Sequence, residues 1–62
     1  MTNNYRVYYV NDNGWLTGVD YRKVVIEVSR NGDLIIYTKQ IQPEYICAMY
    51  AKGNWRRVEE IE

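Results

Sequence analysis

Two apolar, β-branched segments on either side of Asn31-Gly32 occupy residues 23–39 and constrain the fold more than any other feature. Asn-Gly between alternating apolar residues is a strong β-hairpin signal, because both residue types tolerate the positive φ angles of a tight turn. The sequence therefore predicts two antiparallel strands joined at this turn.

The register of this hairpin predicts which of its side chains form the core. A two-residue turn at Asn31-Gly32 sets Val28 opposite Ile35, and residues directly opposite each other share a face of the sheet. The predicted core face then carries Val24, Ile26, Val28, Ile35 and Tyr37. The reverse face is mixed in character, and it includes Leu34 and Ile36, which would stay available to a partner.

The segment before this hairpin predicts another one. Residues 5–10 (YRVYYV) are aromatic or aliphatic on both faces, which is typical of a central strand. The Asn- and Gly-rich turn that follows allows two registers. One sets Val10 opposite Thr17, and the preferred one sets Val10 opposite Trp15 and buries the indole. Gly18 lies in the return strand and predicts a bend there.

Residues 45–62 admit two interpretations. Two apolar segments on either side of Gly53-Asn54 favour a third hairpin, which is the preferred interpretation. The same residues also fit a short helix at about 43–52, with Pro43 near its start and Gly53 just after its end.

The whole chain, residues 1–62, is expected to form one small domain. Turn signals recur at intervals of roughly 20 residues, as in folds made of short antiparallel strands. We therefore expect an all-β fold, a small antiparallel barrel or strongly bent sheet of five or six strands in the style of SH3-like barrels. This likeness is one of architecture and carries no functional residues. The alternative is an α+β fold with the helix at about 43–52.

The composition argues against catalysis. The chain has no histidine, and the apolar neighbours of its single cysteine, Cys47, predict a buried and unreactive thiol. Glu59 and Glu60 are adjacent carboxylates, but neighbouring residues of a strand point to opposite faces and do not converge on a substrate. We therefore expect no enzymatic activity, no cofactor and no metal.

The charge balance disfavours a general affinity for nucleic acid or membranes. Eight basic and eight acidic residues give a formal net charge of zero. One local feature points the other way, because an aromatic side chain beside two cations, as in Trp55-Arg56-Arg57, is typical of single-stranded nucleic-acid binding. Nucleic-acid binding through these three residues is the alternative function.

Protein binding, including self-association as a homodimer, is the preferred function class. The chain has seven Tyr and two Trp but no Phe, and Tyr, Trp and Arg are enriched at interface hot spots. Its small size suggests an inhibitor or adaptor of a larger assembly, such as phages and mobile elements encode. The candidate contact residues are Tyr8, Tyr9, Leu34, Ile36, Trp55 and Arg57.

The sequence also carries an expectation about location. Residues 1–10 lack the apolar run of an export signal, and no apolar run approaches the roughly 18 residues of a membrane span. One unpaired cysteine fits a reducing compartment. We expect a cytoplasmic protein that does not contact membranes.

Overall fold

The computed structural model describes residues 3–38 and 45–62. They form five strands: β1 (Asn3–Val10), β2 (Leu16–Val28), β3 (Leu34–Tyr37), β4 (Ile46–Tyr50) and β5 (Trp55–Ile61). The strands make one antiparallel sheet in the order β4-β3-β2-β1-β5. The all-β expectation is confirmed. The sheet is not closed into a barrel, since β4 and β5 form its two edges.

Strand β2 bends the sheet. Most of its length pairs with β1, whereas residues 25–28 pair with β3. Between these two parts the register with β1 shifts, and Lys23 adopts a positive φ of 56°. The amide N–H of Lys23 donates to Asn4 Oδ1 at 2.9 Å. An irregularity of this kind kinks a strand and lets one long strand serve two directions of the sheet.

The bend predicted at Gly18 is wrong, because Gly18 pairs with Tyr8 in regular register. The glycine instead makes room for neighbouring side chains. A Cβ atom at this position would lie 3.3 Å from Arg6 Cδ and 3.5 Å from Tyr8 Cε1. Gly18 therefore serves the packing of the outward face.

The loop between β2 and β3 is one residue longer than predicted. Gly32 N–H donates to the Ser29 carbonyl at 3.0 Å, and Ser29 N–H donates to the Asp33 carbonyl at 2.9 Å, so three residues lie between Ser29 and Asp33. Gly32 has a positive φ of 92°, as in a type I turn that ends in a G1 bulge.

The longer loop moves the side chains of β3 to the other face of the sheet. Ile26 lies opposite Ile36 and Val28 lies opposite Leu34. Leu34 and Ile36 are both 0% exposed. Because a slip of one residue exchanges the two faces of a strand, the prediction that Leu34 and Ile36 stay available to a partner is wrong. Ile35 lies on the reverse face in their place.

The core is small and lies within the bend. Its buried centre consists of Val7, Val24, Leu34 and Ile36. Half-buried side chains surround it: Tyr5, Tyr21, Ile26, Ala48, Tyr50, Trp55 and Val58. The predicted core positions Val24 and Ile26 are confirmed. The core prediction is wrong for Val28, which is 54% exposed. Tyr37 is buried as predicted, but it lies on the same side of β3 as Ile35, opposite to Leu34 and Ile36.

The first hairpin adopts neither of the two predicted registers. Val10 lies opposite Leu16, because a three-residue loop again replaces the expected turn. The preferred register was meant to bury Trp15, but its side chain is 71% exposed. The prediction that the first strand is central is confirmed, since β1 lies between β2 and β5.

The segment after residue 44 forms strands, but the predicted third hairpin is wrong. Ile46–Tyr50 is β4, so the helix alternative is wrong for residues 45–52. Pro43, near the start of that helix alternative, lies outside the described residues. The two strands do not pair as a hairpin, because β4 pairs with β3 while β5 pairs with β1. The turn between them links the two edges of the sheet.

Candidate functional site

The end of the β1–β2 hairpin carries the two most exposed large apolar side chains of the described residues, Trp15 and Leu16. Trp15 is 71% exposed, Leu16 is 64% exposed, and Val10, which lies opposite Leu16, is 37% exposed. We call Val10, Trp15 and Leu16 the tip cluster. Val10 and Leu16 share one face of the hairpin, and Trp15 lies opposite Asn11 at its end. Burial of these exposed apolar side chains against a partner would be favourable.

Asn11 holds this loop in place. Its Oδ1 atom accepts hydrogen bonds from the backbone N–H groups of Asn13 at 2.9 Å and Trp15 at 3.0 Å. Its Nδ2 atom donates to Thr17 Oγ1 at 3.1 Å, and its backbone N–H donates to the Trp15 carbonyl at 2.9 Å. Since the loop is fixed before any partner arrives, docking orders little additional chain.

An open cleft of about 410 Å³ lies beside the tip cluster. The residues that line it are Tyr9, Val10, Asn11, Asp12, Tyr50 and Asn54. Its aromatic wall is formed by Tyr9 and Tyr50, whose ring centroids are 5.7 Å apart. Asp12 supplies the one charged side chain among the lining residues. The cleft thus offers ring faces, amide groups and a single carboxylate.

The tyrosine wall is tied into the sheet by a hydrogen bond. The hydroxyl oxygens of Tyr50 and Tyr21 lie 2.6 Å apart. Partial burial and this hydrogen bond raise the pKa of Tyr50 above its usual value of 10.0. Tyr50 is therefore neutral at physiological pH, and its hydroxyl group is engaged with Tyr21.

The outward face of β1 and β2 carries charges that pair with one another. Arg6 donates to both carboxylate oxygens of Asp20, at 2.6 Å and 3.0 Å, and Arg22 lies 3.8 Å from the same carboxylate. The hydrogen bond from Arg6 holds the pKa of Asp20 below its usual range of about 3.8. Charges that neutralise each other provide little field to attract a charged ligand.

Two of the predicted contact residues, Tyr8 and Arg57, belong to this outward face. The guanidinium carbon of Arg57 lies 4.7 Å from the ring centroid of Tyr8, a cation–π contact. Tyr8 O–H donates to Glu59 Oε1 at 2.9 Å, and Arg57 lies 3.8 Å from the same carboxylate. The structure therefore brings these two residues together, away from the cleft.

The predicted contact residues Tyr9 and Trp55 lie opposite each other in the β1–β5 pairing. Tyr9 lines the cleft, so its sequence assignment falls within the candidate site. Trp55 packs against the core, and its Nε1–H donates to the Gly32 carbonyl at 3.0 Å. That bond ties β5 to the loop between β2 and β3.

The residues of the nucleic-acid alternative are each engaged separately within the chain. Trp55 is half-buried, Arg56 donates to the Gly53 carbonyl at 2.8 Å, and Arg57 covers Tyr8. An exposed ring flanked by free cations is the arrangement that stacks bases and follows phosphates. These contacts do not present that arrangement.

Strand β4 carries apolar side chains at the sheet edge. Met49 is 56% exposed and Ile46 is 39% exposed. Cys47 lies between them and is exposed, so the prediction of a buried thiol is wrong. Ala48 and Tyr50 pack against the core, so the alternation of the strand places Cys47 on the outward face together with Met49.

Within residues 3–38 and 45–62, no group of three or more carboxylate or thiol side chains could hold a metal ion. The same residues contain no helix long and apolar enough to cross a membrane.

Comparison of this chain with protein-family models, curated proteins and solved structures found no match. We therefore infer its function from its own side chains and their geometry.

The tip cluster was missed by the sequence-based prediction, which chose Tyr9 but placed Trp15 in the core. The error follows from the loop length, because a three-residue loop leaves Trp15 within the loop's closing pair, outside the core. The usable signal is a tryptophan that directly follows a turn glycine, at the end of a hairpin where few other strands can cover it.

Proposed function

We propose that this protein is a non-catalytic protein-binding module that docks an extended segment of a partner protein at the tip cluster and the adjoining cleft. The observation that carries this proposal is the 71% exposure of Trp15 on a loop that Asn11 holds rigid. Tryptophan is enriched among the residues that dominate binding energy, and a fixed loop presents it at low entropic cost.

The chemistry of the cleft supports a protein segment as the ligand. Tyr9 and Tyr50 provide ring faces for apolar or proline side chains, and the side-chain amides of Asn11 and Asn54 can bond an extended backbone. Asp12 adds a negative charge, which favours a segment with a Lys or Arg near its apolar anchor.

The same chemistry disfavours nucleic acid at this place. The tip cluster and the lining of the cleft include no Arg or Lys, whereas binding of single strands needs cations along the backbone. Binding through Trp55, Arg56 and Arg57 remains the alternative function.

The proposed setting is the cytoplasm, where the module acts as an inhibitor or adaptor of a larger assembly. The exposed thiol of Cys47 supports this setting, since an exposed unpaired cysteine persists best under reducing conditions.

A random dodecapeptide phage library, panned against the purified chain, tests the proposal. We expect enriched peptides that combine an apolar or aromatic residue with a Lys or Arg. Their affinity should fall at least about tenfold for the Trp15→Ser variant. The matched control is Met49→Ser, which removes an exposed apolar side chain that is not part of the cleft lining and that alternates to the face of β4 opposite Tyr50, so it should leave the affinity unchanged.

Peptides that share no pattern, or that bind the Trp15→Ser variant equally well, would contradict the proposal. A parallel titration with labelled single-stranded oligonucleotides at about 50 mM salt examines the alternative. Oligonucleotide binding that disappears in the double variant Arg56→Gln, Arg57→Gln would favour nucleic acid over a protein segment.

A further inference from the structure

Strand β5 forms an edge of the sheet. It pairs with β1 on one side, and in the part of the chain that the structure describes no strand pairs with its other side. Such an edge presents backbone N–H and C=O groups that can pair with another strand. Its own side chains decide which strands it accepts.

Charged residues stand at equal distances on both sides of Val58 in β5, with opposite signs on the two sides. The strand reads Arg56, Arg57, Val58, Glu59, Glu60, so two cations precede the central valine and two anions follow it. We propose that β5 pairs with β5 of a second copy of this chain, antiparallel about Val58, and joins two five-stranded sheets into one. This pairing is independent of the tip cluster.

The charge pattern selects one register. When Val58 faces Val58 of the second copy, Arg57 faces Glu59 and Arg56 faces Glu60, and the two-fold axis repeats each pair, which gives four opposite-charge pairs. A slip of one residue breaks all four pairs and forms only two other opposite-charge pairs, Arg57 with Glu60 or Arg56 with Glu59. A slip of two residues sets Arg57 against Arg57, or Glu59 against Glu59, which is repulsive.

The central side chains are accessible for this pairing. Arg57 is 66% exposed and Glu59 is 45% exposed. Their contact along their own strand is 3.8 Å long, and residues two apart on one strand are separated by about 6.7 Å of backbone rise. Side chains opposite each other on paired strands start from Cβ atoms only about 5 Å apart, so the second copy offers the closer partner.

The register shift in the β1–β5 pairing lies outside the centre of this contact. It falls between Tyr8 and Tyr9, which leaves Arg56 as the extra residue of β5. From Arg57 onward β5 follows β1 in regular register. The proposed two-fold axis at Val58 therefore lies in the regular part of the strand.

The other edge of the sheet differs in chemistry. Strand β4 (ICAMY) contains no charged residue. It therefore lacks the charges that hinder pairing of an edge strand with another chain, and it lacks charges that would select one register. Association through β4 would be insensitive to salt, whereas association through β5 should weaken as salt screens the ion pairs. This difference separates the two edges by experiment.

Sedimentation equilibrium of charge variants tests the proposal. The wild-type chain should self-associate at low salt, and its dimer dissociation constant should rise at least about tenfold between about 20 mM and 500 mM salt. The acidic variant R56E/R57E and the basic variant E59R/E60R should each be monomeric at the same concentration. An equimolar mixture of the two should form a heterodimer, because all four facing pairs are then opposite in charge.

The four-fold variant R56E/R57E/E59R/E60R is the matched control. Its charges are reversed but still symmetric, so it should dimerise like the wild type, and far-UV circular dichroism shows that each variant is folded. A wild-type chain that stays monomeric at millimolar concentration overturns the proposal. So does a dimer that ignores salt, or a mixture of the acidic and basic variants that remains monomeric although both are folded.

Discussion

The hydroxyl oxygens of Tyr21 and Tyr50 lie 2.6 Å apart and connect β2 to β4 across the strand between them. The two rings meet edge to face with centroids 6.5 Å apart. Because β3 separates β2 from β4 in the sheet, a flat sheet would hold these side chains too far apart for a hydrogen bond. The contact therefore depends on the bend and supports it.

The Tyr50→Phe substitution should lower the free energy of unfolding by about 1 kcal/mol at pH 7, because the partly buried Tyr21 hydroxyl loses its partner. Urea denaturation followed by circular dichroism measures the difference. Tyr45→Phe is the control, since Tyr45 is exposed just before β4 and its substitution should leave the midpoint unchanged. Equal effects of both substitutions would contradict this role of the Tyr21–Tyr50 bond.

The same tyrosine predicts the alkaline behaviour of the chain. Since the folded state raises the pKa of Tyr50, its contribution to stability is complete below the unfolded pKa of about 10 and is lost as the pH rises through the folded pKa. Urea midpoints from pH 8 to about pH 12 should therefore fall less steeply for Tyr50→Phe than for the wild type. An unchanged slope would assign the alkaline loss to other groups.

Asp20 predicts part of the acid dependence. Because the hydrogen bond from Arg6 lowers the folded pKa of Asp20, its contribution is present above the unfolded pKa of about 3.9 and is lost as the pH falls through the folded pKa. Asp20→Asn should make thermal stability less sensitive to pH below about 4. Asp12→Asn, which removes an exposed carboxylate in the β1–β2 loop, controls for the loss of one charge. Identical pH profiles of the two variants would count against the Arg6–Asp20 pair.

The positive φ of Lys23 predicts an unusual order of substitutions. A side chain in this region of φ costs about 1–2 kcal/mol, and glycine avoids that cost, so Lys23→Gly should raise the free energy of unfolding by up to about 1 kcal/mol. Lys23→Val should lower it, since β-branched residues fit positive φ worst. At an ordinary strand position such as Val28, replacement by glycine should instead be destabilising. Denaturant titration of the three variants gives the order, and a Lys23→Gly variant weaker than Lys23→Val would contradict it.

The register of β3 can be tested with matched pairs of small deletions. Ile36 is fully buried and Ile35 is half-buried on the reverse face. Ile36→Val should cost about 1 kcal/mol, and Ile35→Val should cost less than about 0.5 kcal/mol, because only the first leaves a gap in the core. Guanidinium unfolding of the two variants measures both values. The opposite order would restore the register expected for a two-residue turn.

Strand positions were predictable from the sequence because β-branched and aromatic segments alternate with glycine-containing turns. The registers were not. Asn31-Gly32 suits both a two-residue turn and a three-residue loop, since each needs a positive φ at the glycine. β3 (LIIY) is apolar or aromatic at every position, so its sequence does not indicate which of its two faces is buried in the core.

The same uncertainty about loop length explains why the sequence did not predict Trp15 as a candidate site residue. Loop length decides whether Trp15 closes the loop or enters the core, and hydrophobicity alone favours the core. The bend was misplaced for a related reason. Glycine marks positions where bending is easy, whereas here the irregularity falls at Lys23, where the geometry of two successive pairings requires it.

The two tryptophans lie in different surroundings, and this gives the protein two built-in fluorescent reporters. Trp15 is largely exposed in the loop between β1 and β2, so it should emit at long wavelength and be readily quenched by iodide. Trp55 is half-buried against the core and hydrogen-bonded to the Gly32 carbonyl, so it should emit at shorter wavelength and be shielded from the quencher. A ligand at the tip should change the first signal alone, whereas loss of the folded sheet should change the second.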